Sequence, residues 1–120
     1  MEKTTSSSEV DELLEFSYLY DFYGNLLKEN HRMIFEDYVL NNLSMGEIAA
    51  ERGITRQGVY DIVKRCKKRL KEYEDKLCLV DKFQRTKDKL QQIEEIAGES
   101  QDVEGAQAIS ALAEQIYEMI

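Results

Sequence analysis

Proline and tryptophan are absent from this 120-residue chain, and glycine (six), cysteine (two) and histidine (one) are scarce. At the usual usage of ~5% a chain of this size would hold about six prolines. Without them no residue locks φ and withholds a backbone donor inside a helix, so long uninterrupted helices and an all-α fold are expected. Cys66 and Cys78 fall on one predicted helix, about 18 Å apart along its axis at ~1.5 Å per residue. That exceeds the ~7 Å Cα limit of a disulfide, so both are read as reduced structural thiols. The single histidine, His31, has no neighbouring thiol or Ser-His-Asp pattern, and Cys-x-x-Cys spacings and phosphate-cradling glycine loops are missing too. No catalytic residue, metal ligand or cofactor site is therefore assigned, and an enzyme is the weakest hypothesis. No apolar run approaches the ~18 residues of a membrane span, and Met1-Glu2-Lys3-Thr4-Thr5-Ser6-Ser7-Ser8 lacks a signal-peptide core; a cytoplasmic location is expected.

The formal charge of -8 argues at first against a nucleic-acid partner, but it is unevenly spread. Residues 1–43 carry -6, residues 44–76 carry +3 and residues 77–120 carry -5. Between Thr55 and Lys71 stand Arg56, Lys64, Arg65, Lys67, Lys68, Arg69 and Lys71 against the single acid Asp61. A solvated helix face usually mixes signs; this run does not.

Residues 1–8 are expected to be disordered, with Ser8-x-x-Asp11 as a capping box that starts a helix near Glu9. Leu13, Phe16, Leu19, Tyr20, Tyr23, Leu26 and Leu27 recur at spacings of three and four and predict one buried face. The aromatic cluster Phe16, Tyr18, Tyr20, Phe22 and Tyr23 lies in an acidic segment and reads as core or dimer surface. A second helix, about 31–41, directs Met33, Ile34, Tyr38 and Leu40 inward.

From Ser44 to Arg65 the pattern is that of a helix-turn-helix. Ser44-x-x-Glu47 is a capping box for a short helix Met45 to Arg52. Ile48, Ile54, Val59 and Ile62 fall where the two helices meet, with Ala49 small at the crossing. Gly53 occupies a turn that needs positive φ. Thr55 caps the second helix and sets Arg56 and Gln57 on its first exposed turn, the part that enters the major groove in this motif. Arg52 departs from the leucine-like residue common before the turn glycine; its stem is expected to cover the core while the guanidinium reaches solvent or phosphate. The expected nucleic-acid-binding residues are Thr55, Arg56, Gln57, Tyr60, Asp61, Lys64, Arg65 and Lys68, the bases facing Arg56, Gln57 and Tyr60 and the phosphates Lys64, Arg65 and Lys68.

The helices from Leu13 to Leu70 resemble region 4 of sigma-70-type factors. Ile54-Thr55-Arg56-Gln57-Gly58-Val59-Tyr60-Asp61, with Phe22-Tyr23-Gly24-Asn25-Leu26-Leu27 and Tyr73-Glu74-x-Lys76-Leu77, is similar to the YlxM family of small bacterial proteins over about residues 13–85. That resemblance implies a DNA- or RNA-binding regulator of the signal recognition particle pathway. Its partners would be DNA or the particle's RNA, with the particle's GTPase as a further candidate; the alternative is a protein-interaction module docking that GTPase without nucleic acid.

Beyond the helix-turn-helix domain, 9–71, the last helix is expected to continue unbroken over 72–97 as a coiled-coil-like extension. Val63, Cys66, Leu70, Tyr73, Leu77 and Val80 alternate spacings of three and four as a seam, and the stripe shifts after Val80. A second copy of the chain or the tail helix, 98–120, folding back would cover it. A homodimer is the favoured expectation, because a helix of ~40 residues is about 60 Å long and outruns the bundle.

Overall fold

A computed structural model describes residues 7–120 and is all-α: among the described residues it holds six α-helices and no strand. No helix in it is long and apolar enough to cross a membrane. The chain divides into two compact units, one reaching to Cys78 and the other spanning Leu79–Ile120.

The first unit comprises α1 (Ser7–Tyr23), a 3₁₀ turn (Gly24–Leu26), α2 (Glu29–Val39), α3 (Met45–Arg52) and α4 (Arg56–Leu77). Ser7 and Ser8 are already helical, so α1 starts ahead of the expected Glu9; the rest of the tail expected to be disordered lies outside the described residues. α4 packs against α1, α2 and α3, and its inward line Val59, Val63, Cys66 and Leu70 is buried at the three- and four-residue spacing of one helix face. Phe16, Leu19 and Tyr23 of α1, Ile34 and Phe35 of α2, and Ile48 and Ala49 of α3 close the core. Phe35 is wholly enclosed, edge-on to Phe16 at 6.2 Å and 6.1 Å from Tyr20. Tyr23 stacks 5.9 Å from Tyr73, and its hydroxyl donates to the Glu74 carboxylate.

Several inward assignments are corrected by this packing. Phe35, not Met33 or Leu40, anchors α2; the latter two are exposed, as is Leu26. Ile54 is exposed and Ile62 half-buried, while Val63 takes the core position beside Val59. The apolar triplet Met33-Ile34-Phe35 allows two helical phases over an 11-residue helix, and only the aromatic ring fills the space between Phe16 and Tyr38.

The long helix is divided. Cys78 adopts the left-handed conformation (φ 55°, ψ 30°) with its N–H bonded to the Glu74 carbonyl at 2.8 Å, and α5 (Leu79–Gly98) begins at the next residue. The expected seam is accordingly split: Val63, Cys66 and Leu70 belong to the core of the first unit, Leu77 is exposed, and Val80 falls within the chain span of the second.

In the second unit α6 (Val103–Met119) folds back along α5. The reversal occupies residues 99–102; Asp102 caps α6 by accepting from the Gly105 N–H at 3.1 Å, and the Tyr117 hydroxyl donates to the Lys87 carbonyl across the pair. Leu90 and Ala97 of α5 and Ala113 of α6 are buried in this unit.

Candidate nucleic-acid interface

The helix-turn-helix forms as its caps dictate. The Ser44 hydroxyl accepts from the Glu47 N–H and the Ser44 N–H donates to the Glu47 carboxylate, both at 3.1 Å, and the Ser44 donors hold that carboxyl below its usual range. Gly53 sits at φ 67° and ψ 33°, where a side chain would crowd the backbone. Thr55 is extended, its Oγ1 accepting from the Gly58 N–H at 2.9 Å. A Cβ at Gly58 would stand 3.1 Å from that same oxygen, so the glycine leaves room for the cap. Ile48 and Val59 are fully buried where α3 and α4 meet.

From Arg56 onward each residue turns about 100° around α4. With Val59, Val63, Cys66 and Leu70 inward, Gln57, Tyr60, Asp61, Lys64 and Lys68 share one outward sector. Tyr60 is half-exposed and lines, with Lys64 and Met45, a shallow depression of about 230 Å³. Gln57 Nε2 donates to Asp61 Oδ1 at 3.0 Å, so these two are engaged with each other. Thr55 lies at the base of the sector with its hydroxyl committed to the cap. Arg56 leans over the first turn of α3, where a Cβ at Gly46 would lie 3.7 Å from its Nε. Arg65 projects on the other edge of α4. Burial is the first cause, and the charges of Arg65, Lys28 and Arg69 the next, that hold the His31 pKa below its ordinary value. Lys28 and Arg69 thus extend the basic surface beyond the residues singled out from sequence; the separation of Lys28 from α4 along the chain hid its place there.

Two basic residues have structural duties instead. Lys67 bridges to Glu12, hydrogen-bonds the Tyr38 hydroxyl at 3.3 Å and lies over the rings of Tyr38 and Phe16 at 5.0 and 5.3 Å. Burial alone would lower its pKa, but those partners hold it above the usual lysine value. Arg52 departs from the expectation that its guanidinium reaches solvent or phosphate: Nε and Nη2 both donate to Asp37 Oδ2 of α2, at 3.1 and 2.8 Å. Asp37, 7% exposed, also accepts from Asn41 Nδ2. By contrast, among the described residues Arg56, Lys64, Arg65 and Lys68 have no carboxylate within ion-pair distance.

The family model described as "Putative helix-turn-helix protein, YlxM / p13 like" matches residues 10–109. The chain belongs to the UPF0122 family. A UPF0122 protein of Halalkalibacterium halodurans is 45% identical over 86 residues, covering 72% of this chain and 79% of its own. One from Caldanaerobacter subterraneus subsp. tengcongensis is 49% identical over 85 residues, 71% of this chain and 73% of its own. One from a Thermoanaerobacter species is 42% identical over 113 residues, 91% of this chain and 97% of its own. The UPF0122 match therefore reaches past residue 85, where the sequence resemblance ended, through α5 and into α6. No solved structure matches the chain.

Proposed function

We propose that this UPF0122 protein is a nucleic-acid-binding regulator that acts in the cytoplasm on the signal recognition particle pathway, with DNA or the particle's RNA as target. One observation carries the reading: in a protein of net charge -8, Lys64, Arg65 and Lys68 stand together on the exposed side of a helix-turn-helix second helix with no acid partner among the described residues. Leaving three cations uncompensated in an acidic chain fits a surface whose counter-charge is a polyanion. Lys64, Arg65 and Lys68 neutralise phosphate, Arg56 and Tyr60 approach bases or sugar, and Thr55 orients the helix start. The Gln57–Asp61 pair must open before Gln57 reads a base edge, so phosphate contacts precede base contacts. On RNA, whose deep major groove excludes a helix, Tyr60 and the basic residues carry the interaction.

The test is Lys64→Ala with Arg65→Ala and Lys68→Ala, measured on duplex DNA and on the particle's RNA over a salt series. Each lost phosphate contact lowers the slope of log K against log salt by about 0.9 on duplex DNA. The triple variant is expected to lose nearly three such contacts. Wild-type protein with no affinity for either nucleic acid at about 0.1 M salt refutes the proposal.

A second reading, docking of the particle's GTPase without nucleic acid, is favoured by the groove of about 360 Å³ that Met33, Ile34, Ile54 and Ile62 line between α2 and α4. Met33→Glu distinguishes the two: it removes GTPase binding under this reading and leaves nucleic-acid affinity unchanged under the first.

A further inference from the structure

We infer that the α5–α6 hairpin is a dimerisation element, one flank of which is covered by the same flank of a second copy of this chain to close a four-helix bundle. The inference stands apart from the nucleic-acid reading. α6 meets α5 through small side chains, Ala106, Ser110 and Ala113, together with Tyr117. Its bulky residues are elsewhere: Ile109, Leu112, Ile116 and Met119, spaced three, four and three apart as in a coiled-coil seam, lie roughly a quarter-turn around the helix. On α5, Ile93 and Ile96 are displaced from the Leu90–Ala97 contact line by roughly a quarter-turn in the same sense. In an antiparallel pair, equal displacements of the same sense fall on the same flank, so the six side chains form one face. The opposite flank holds Gln107, Ala111 and Glu114.

The face is large for a monomer. Its members are between 40% (Ile116) and 83% (Met119) exposed. Together they present on the order of 600 Å² of apolar surface, the upper limit of the largest patches on ordinary monomers and most of the ~800 Å² that each partner gives to a standard interface. A heptad line left uncovered while a small-residue line is buried is the pattern of a helix that packs on two sides.

Area and symmetry select the occupant. A two-fold axis parallel to the helices sets α6 of each copy on α5 of the other. Tyr117 lies level with Lys87, so Ile109 and Leu112 of one copy then meet Ile93 and Ile96 of the other. The flank thereby covers itself, as an isologous interface requires, while the α6 acids Glu114 and Glu118 stay on the opposite flank and in solvent.

The test is sedimentation of the full chain at micromolar concentration. The expected mass is twice the 14.0 kDa of the chain. Leu112→Glu with Ile116→Glu, at positions exposed in the hairpin and so compatible with its fold, is expected to weaken association on the order of a hundredfold, since polar carboxylates would replace two apolar side chains that the interface buries. Helicity by circular dichroism is expected to be unchanged. Gln107→Glu with Ala111→Glu on the opposite flank leaves the dimer intact. A monomeric wild type overturns the inference, and so does a dimer that Leu112→Glu with Ile116→Glu leaves unaffected or one that the opposite-flank pair disrupts.

Discussion

Removing the Arg52 guanidinium tests the departure from the common helix-turn-helix pattern most directly. Asp37 and Arg52 stand fifteen residues apart in sequence, and both guanidinium donors converge on one carboxylate oxygen whose side chain is 10% exposed, against 33% for Arg52. Breaking a fully buried pair from one side costs about 3–5 kcal/mol, because the remaining charge is stranded away from water. Arg52 is a third exposed and Asn41 still donates to Asp37 in the variant, so Arg52→Ala is expected to cost about 2–3 kcal/mol. Asp37→Ala strands a guanidinium that can swing into solvent and is expected to cost only about 1 kcal/mol beyond lost packing. The double replacement Asp37→Leu with Arg52→Leu is expected to lie within about 1.5 kcal/mol of wild type, since apolar substitutes of similar volume need no desolvation of charge. Circular dichroism during urea and thermal unfolding reads all four proteins. For a domain of this size Arg52→Ala corresponds to a fall in Tm of roughly 10–20 °C. The reasoning is refuted if Arg52→Ala costs under about 1 kcal/mol or if Asp37→Ala is the more damaging change.

The thiols should differ sharply: Cys66 is buried and its pKa is pushed up to about 11 by that burial, whereas Cys78 is exposed. A chromogenic disulfide reagent is expected to titrate one thiol in the folded protein and two after denaturation. Cys78→Gly removes the strain of a side chain at φ 55° and is expected to raise stability by roughly 0.5–1 kcal/mol in urea unfolding, with a loss instead contradicting the break between α4 and α5. His31, held low first by burial and then by Arg65, Lys28 and Arg69, binds its proton more weakly when folded than when unfolded. Its contribution is therefore present above the unfolded value of about 6.5 and is lost as pH falls through it toward the folded value. His31→Gln should flatten that segment of the stability profile, and proton NMR of the ring should show the depressed titration.

What is legible along the chain is what is encoded locally. Ser44 and Thr55 caps, Gly53 at positive φ and the burial of Ile48 and Val59 follow from residues within about one helical turn of each other, and all appear as the spacing predicts. The phase of α2 was not legible, because a short helix with Met33-Ile34-Phe35 in a row can bury either side until Phe16 and Tyr20 present a cavity for one ring. Of the basic run, sequence could not separate Lys67, which α1 and α2 enclose, from Lys64 and Lys68, which are exposed. The break at Cys78 carries no glycine, asparagine or proline to announce it.

Sequence by itself determined that this chain is all-α, that a helix-turn-helix lies at 44–65 and that its second helix bears the basic charge, because absent proline, capping residues and periodicity act over neighbouring positions. Tertiary structure alone decided that Arg52 serves Asp37, that the expected seam is divided between two units at Cys78, and that the tail folds back with its bulkiest residues uncovered. Those outcomes depend on which surfaces meet across fifteen or more residues, and packing selects among partners that periodicity leaves equivalent.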